Sequence, residues 1–140
     1  MIENHSTYSG SLTFNYYLCS MSQPFPYYYR AYGLNIASNI PVIGFTECAV
    51  TEPDVTITEG DVPENLEPIT SKSGPFQSND HELLFRHQPV GAFYIANGNL
   101  IVIQKAEGVK ESDLSSVIVG ICFGVILHQR MLLPLHASTV

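Results

Sequence analysis

His136 and Ser138 stand two residues apart in Leu135-His136-Ala137-Ser138, near the carboxyl end of the sequence. In an extended strand residues at that spacing share a face, so an imidazole and a hydroxyl would project side by side. That is two-thirds of a nucleophilic triad, in which the histidine takes the serine proton and an acid orients the histidine. The strand spacing holds the two Cβ atoms further apart than one hydrogen bond, and no G-x-S-x-G turn is present to expose a serine nucleophile. His81 and His87 form a second pair that one straight strand would place on one face, although no third metal ligand accompanies them. Asp54, Glu59 and Asp61 do not match the calcium-loop pattern. Tyr27, Tyr28, Tyr29 and Tyr32 could stack a flat ligand, but in a β-rich chain such residues more commonly line a sheet.

Other chemistries are excluded by spacing. Cys19, Cys48 and Cys122 lie far apart with no C-x-x-C pair, so the zinc pattern is missing. A phosphate-binding loop needs a glycine followed by lysine, so that backbone N–H groups and an ammonium surround the phosphates. None of the ten glycines is followed by lysine, and G-x-G-x-x-G is also missing. The sequence as it stands holds no complete catalytic site and no recognisable seat for ATP or NAD.

Charge and composition narrow the partners. The formal net charge is -7, and no basic residue occurs between Arg30 and Lys72, a stretch that holds seven acids from Glu47 to Glu67. Such a chain repels phosphate backbones, which argues against nucleic acid. With 140 residues, 45% of them hydrophobic, the chain can bury a real core. The apolar run Val117 to Leu127 is shorter than the roughly 20 residues a bilayer span needs, so no membrane partner is expected. An odd number of cysteines without a signal peptide points to reduced thiols in the cytoplasm.

The elements that must position these residues follow from periodicity. Residues 1–10 are polar and expected to fray. A β-rich domain is expected over 11–110, with strands at Leu12–Cys19, from Tyr27 to Ile36, and at Asp54–Thr58, Glu82–His87, Gly91–Ala96 and Leu100–Gln104. Residues 61–79, rich in proline and polar side chains, read as one long loop. Asn97-Gly98 predicts a tight hairpin, because both residues tolerate positive φ. A helix is expected over about 112–130, capped by Ser112 and apolar nearly all round, hence buried on more than one face. Gly120 and Gly124 would give it a smooth groove for close packing on the sheet. Leu132 to Val140 reads as a further strand, and its abutting the last residue reads as an interruption. The expected fold class is α+β: a mostly antiparallel sheet on one long buried helix, ending in a strand.

The carboxyl end also carries a resemblance. Leu127-His128-Gln129-Arg130, followed by Leu132-Leu133-Pro134-Leu135-His136-Ala137-Ser138, resembles the lead-in to the kinase core of HPr-kinase-like proteins, where a buried helix and an LHAS-type strand precede the phosphate-binding loop. Tyr32-Gly33-Leu34, Pro53-Asp54-Val55 and Gly98-Asn99-Leu100-Ile101 are similar in kind, so the resemblance spans about residues 27–140. It implies the amino-terminal part of an ATP-dependent serine kinase, with residues 111–140 as the helix and first strand of an incomplete core. His136 would then neighbour the phosphate site. ATP and magnesium are implied only for an intact relative, with no cofactor for this chain itself. The implied partners are a protein or precursor-peptide substrate, or a kinase-core chain supplied in trans. A stand-alone protein-binding module is the alternative, and an independent enzyme using His136 and Ser138 a more remote one.

Overall fold

The computed structural model describes residues 25–132. The strands expected at Leu12–Cys19 and Leu132–Val140, and the frayed 1–10, lie outside the described residues. Nine strands form one mixed sheet: β1 (Tyr27–Ala31), β2 (Leu34–Ser38), β3 (Thr46–Glu47), β4 (Val55–Glu59), β5 (Ser71–Ser73), β6 (Phe76–Ser78), β7 (Glu82–His87), β8 (Gly91–Ala96) and β9 (Leu100–Lys105). Their order is β3-β1-β2-β4-β9-β8-β7-β6-β5. All pairings are antiparallel except β2 with β4 and β4 with β9. The sheet is therefore mixed around β4, with an antiparallel wing on either side.

The β8–β9 hairpin turns at Asn97 and Gly98, both at positive φ (57° and 67°), which suits the right-handed twist of the flanking strands. A second turn of the same kind divides the single strand expected from Tyr27 to Ile36. Tyr32 (φ 56°) and Gly33 (φ 76°) reverse the chain, and Ala31 pairs with Leu34. A bulky residue in the left-handed region is costly. The Tyr32 ring recovers stability by stacking on Phe123 at 5.5 Å, and its hydroxyl donates to the Val119 carbonyl at 3.3 Å.

The expected 61–79 loop contains the β5–β6 hairpin at its far end. Its first part is a strap across the sheet face opposite the helix. Val62 N–H donates to Gln104 Oε1, Arg86 donates to the Pro63 and Glu64 carbonyls, and Leu66 N–H donates to Gln77 Oε1. The strap's Leu66 is buried.

The helix, α1, runs Glu111–Gln129. Lys110, not Ser112, holds the N-cap position, and no side chain caps it; Glu111 and Asp113 supply the first-turn negative charge. Residues Ile118–Cys122 form a π-helical turn, where Phe123 N–H reaches back to the Ile118 carbonyl. That wider turn shifts the face. Leu114, Val117, Ile118, Cys122, Phe123, Ile126 and Leu127 are buried on the sheet, whereas Val119, Ile121 and Val125 are half-buried and Gly120 is exposed. The helix is thus buried on one face, with 44% of its most apolar window covered, rather than on several. By length and composition alone it would pass as a membrane span; here it is the helix that closes a core. A Cβ added at Gly120 or Gly124 would meet nothing within 4 Å among the described residues. The expected close packing of these glycines on the sheet is therefore not made.

Phe85, Phe93, Ile95, Ile101 and Ile103 of the sheet share one core with α1, so residues on both sides of position 110 contribute to it. Phe45, Tyr32 and Phe123 seal its edge ring against ring at 5.1–6.1 Å.

Candidate functional site

The candidate cleft lies where the helix begins. Pro89 and Val90 come from the β7–β8 connection, Val109 from the segment entering α1, and Val117 from its second turn. They form the apolar part of an open cleft of about 530 Å³. His87, Glu107, Lys110, Asp113 and Ser116 add polar groups of both signs. Glu107 and Asp113 would face the charge of a polyphosphate placed there.

Sequence reasoning had singled out only His87 as a site residue here. Glu107, Lys110, Asp113 and Ser116 carry no motif in the sequence. The β7–β8 connection meeting the helix start is what brings His87 to them.

A second feature lies at the other end of the helix. Gln129 Oε1 accepts from Gly98 N–H at 2.8 Å, and Gln129 Nε2 reaches the His81 and Ile95 carbonyls at 3.3 and 3.4 Å. Arg130 donates to the Gly98 carbonyl at 2.9 Å. The two side chains clamp the helix end to the Asn97-Gly98 turn. Met131, at φ 63°, then ends the helix in left-handed conformation: Met131 N–H bonds to the His128 carbonyl and Leu132 N–H to the Leu127 carbonyl. Met131 is 91% exposed, and Leu132 is exposed beside it.

The other residues proposed for chemistry take structural roles or lie elsewhere. His136, Ser138 and Cys19 lie outside the described residues. His81 and His87 sit at opposite ends of β7, about 20 Å apart at the rise of an extended strand, so they cannot share a metal within one chain. Among the described residues, no group of three His, Cys, Asp or Glu side chains could hold a metal ion. Asp54 accepts from Asn35 N–H at 2.8 Å and ties the start of β4 to β2, while Glu59 pairs with Lys105 at 3.7 Å. Tyr27 stacks on Tyr29, whose buried hydroxyl accepts from Val42 N–H. Burial is the main reason that hydroxyl's pKa is raised. Tyr28 faces the opposite side with Phe25 and Ala37. The tyrosine cluster is therefore a wall of the fold, not a stacking platform.

One further polar cluster lies on the strap side of the sheet. The Tyr94 hydroxyl donates to Glu82, which also accepts from Asn79. These bonds hold the Glu82 carboxyl below its usual range. Burial, then the bond and charge of Glu82, push Tyr94 up to about 12. Cys122 is fully buried, and desolvation raises its thiol far above the ordinary value, so it is chemically quiet.

Comparison with protein-family models, curated proteins and solved structures returned no match.

Proposed function

We propose that this chain is the non-catalytic front portion of an HPr-kinase-like, ATP-dependent serine kinase acting in the cytoplasm. In this reading it presents a protein or precursor-peptide substrate to a kinase core, or completes such a core in trans. The observation that carries it is the clamp. The Gln129-Arg130 pair belongs to the stretch that resembles the approach to a kinase core. It grips the β8–β9 turn and is followed by exposed Met131 and Leu132.

The residues here do not fit ATP itself. No glycine is followed by lysine, and the cleft presents Glu107 and Asp113. In this reading phosphoryl transfer belongs to the core, and this chain contributes binding and position. The open cleft of mixed polarity is the observation behind a second reading, a stand-alone protein-binding module.

The test is reconstitution. The chain is mixed with a separately produced, phosphate-loop-bearing core of an HPr-kinase-like protein and Mg-ATP, and serine phosphorylation of a candidate precursor peptide is followed. The kinase reading expects transfer only in the mixture and no tight Mg-ATP binding by this chain alone. Tight Mg-ATP binding by the isolated chain would sink it. Peptide binding without any association with a core would leave the module reading in its place.

A further inference from the structure

The sequence holds one Asn-Gly pair, Asn97-Gly98, and that pair carries a chemistry of its own. A glycine nitrogen, with no Cβ beside it, can attack the side chain of a preceding asparagine. Here Gly98 N would give its proton to a solvent base and bond to Asn97 Cγ. The Cγ–Nδ2 bond breaks, ammonia leaves with a proton from water, and a five-membered succinimide remains. Water then opens the ring at either carbonyl. The Gly98 N–H is restored, and residue 97 is left as aspartate or isoaspartate. Water is the only co-reactant.

The fold demands this labile pair and also restrains it. Position 97 is left-handed, at φ 57°, where asparagine is among the few residues at ease. Position 98 needs glycine twice over: its φ is 67°, and a Cβ there would lie 2.7 Å from Arg130 Cγ. Asn97 is exposed, so water and base reach it. Gly98 is buried, and its N–H donates to Gln129 Oε1 at 2.8 Å. An amide oxygen is too weak a base to take that proton, so the bond keeps it from solvent base. Asn97 N–H is tied to the His81 carbonyl at 2.9 Å, and Arg130 holds the Gly98 carbonyl at 2.9 Å. Turning the Asn97-Gly98 peptide to bring its nitrogen onto Cγ breaks the bond to Gln129 and drags Gly98 from Arg130.

We propose that Asn97-Gly98 is a self-modification site gated by the helix-end clamp. While Gln129 holds the Gly98 N–H the asparagine persists; release of the helix end converts it to aspartate and isoaspartate. Isoaspartate routes the main chain through its Cβ and adds one atom to a two-residue turn. Hairpin register is set by turn length, so the clamp is not regained and the step is one-way. The site does not depend on the kinase reading, since it needs only the turn and the clamp.

Incubation of the full chain at mildly alkaline pH tests it. Peptide mass spectrometry follows the amide-to-acid shift at residue 97, and electron-transfer fragmentation separates isoaspartate from aspartate. Folded wild type should convert at least about fivefold more slowly than the same chain unfolded in urea, the rate equivalent of one net hydrogen bond. Gln129→Ala should convert at least about fivefold faster than folded wild type. Leu114→Ala removes a buried side chain at the far end of the helix and leaves the clamp in place, so Gln129→Ala should outpace it. Circular dichroism reports whether the variants fold; if Gln129→Ala does not, Gln129→Met, which keeps the side chain's bulk, takes its place. Purified isoaspartate-bearing chains should unfold at a lower urea midpoint than wild type. Equal rates in folded and unfolded wild type, or a clamp variant no faster than Leu114→Ala, would each overturn the proposal. So would an Asn97 that persists in the unfolded chain, or isoaspartate-bearing chains as stable as wild type.

Discussion

Replacing Gln129 by alanine removes the central piece of the helix-end clamp without touching the hydrophobic core. The Gly98 N–H to Gln129 Oε1 bond is short, at 2.8 Å, and counts as one full hydrogen bond. The contacts from Nε2 to the His81 and Ile95 carbonyls are long, at 3.3 and 3.4 Å, and are shared by one amide group, so together they count as about one more. Each net bond is worth about 1 kcal/mol, and a half-buried Gly98 N–H left without its acceptor adds a further penalty, giving about 2–3 kcal/mol in all. Urea unfolding followed by circular dichroism measures this as a lower midpoint with an unchanged slope. Gln129→Glu makes the reasoning sharper. It keeps the acceptor for Gly98 but turns a carboxylate oxygen toward two carbonyls, so at neutral pH it should destabilise at least as much as alanine. Those carbonyls raise the folded-state pKa of the new carboxyl. The charged form is then penalised only in the folded state, so the added loss is present at neutral pH and is relieved as pH falls below that raised value. A Gln129→Ala loss below about 0.5 kcal/mol, or a Gln129→Glu variant as stable as wild type at pH 7, would show that the clamp holds nothing.

Met131→Gly should stabilise the protein by about 1 kcal/mol, because Met131 occupies the left-handed helix-end position glycine prefers; thermal melting measures the gain. Phe123→Ala should cost about 3–5 kcal/mol in the same assay, since its fully buried ring contacts Tyr32 and Phe45. Tyr94 has its folded pKa raised to about 12, so the stability it contributes is intact below its unfolded value near 10 and is lost as pH rises from there towards 12. Tyr94→Phe should flatten that alkaline limb in a pH series of urea midpoints. Cys122 should resist iodoacetamide in the native protein and react after denaturation, with peptide mass spectrometry reporting the site.

Short apolar and aromatic runs bounded by turn residues were legible from sequence. Glu82–His87, Gly91–Ala96 and the Asn97-Gly98 turn needed no tertiary information, because such runs and left-handed turn residues are local signals. The Tyr32-Gly33 turn was not, because a tyrosine accepts its left-handed backbone only when Phe123, distant in sequence, takes its ring. The β5–β6 hairpin hid for another reason: Ser71, Lys72 and Ser73 are all exposed, so no apolar alternation marks the strand. In the helix the existence was legible but the face was not. One π-helical turn breaks the 3.6-residue period between Ile118 and Cys122, and a strict period spreads the apolar residues around the whole circumference. The cleft was the least legible part, since His87 and Asp113 come together only after the β7–β8 connection meets the helix start.

β4 has a place in the sheet that shapes how the protein opens. Both of its partners run parallel to it, and neither follows it directly in the chain: Val55 pairs with Ile36, and Thr56 with Leu100. No hairpin loop can recruit this strand, so its placement awaits both wings and the loop-closure entropy of two long separations. Once in place, it joins the two wings into one cooperative unit. Amide hydrogens at Ile57 and Thr58 should therefore exchange with solvent only through global unfolding, whereas those of the exposed β5 edge should exchange through local fraying.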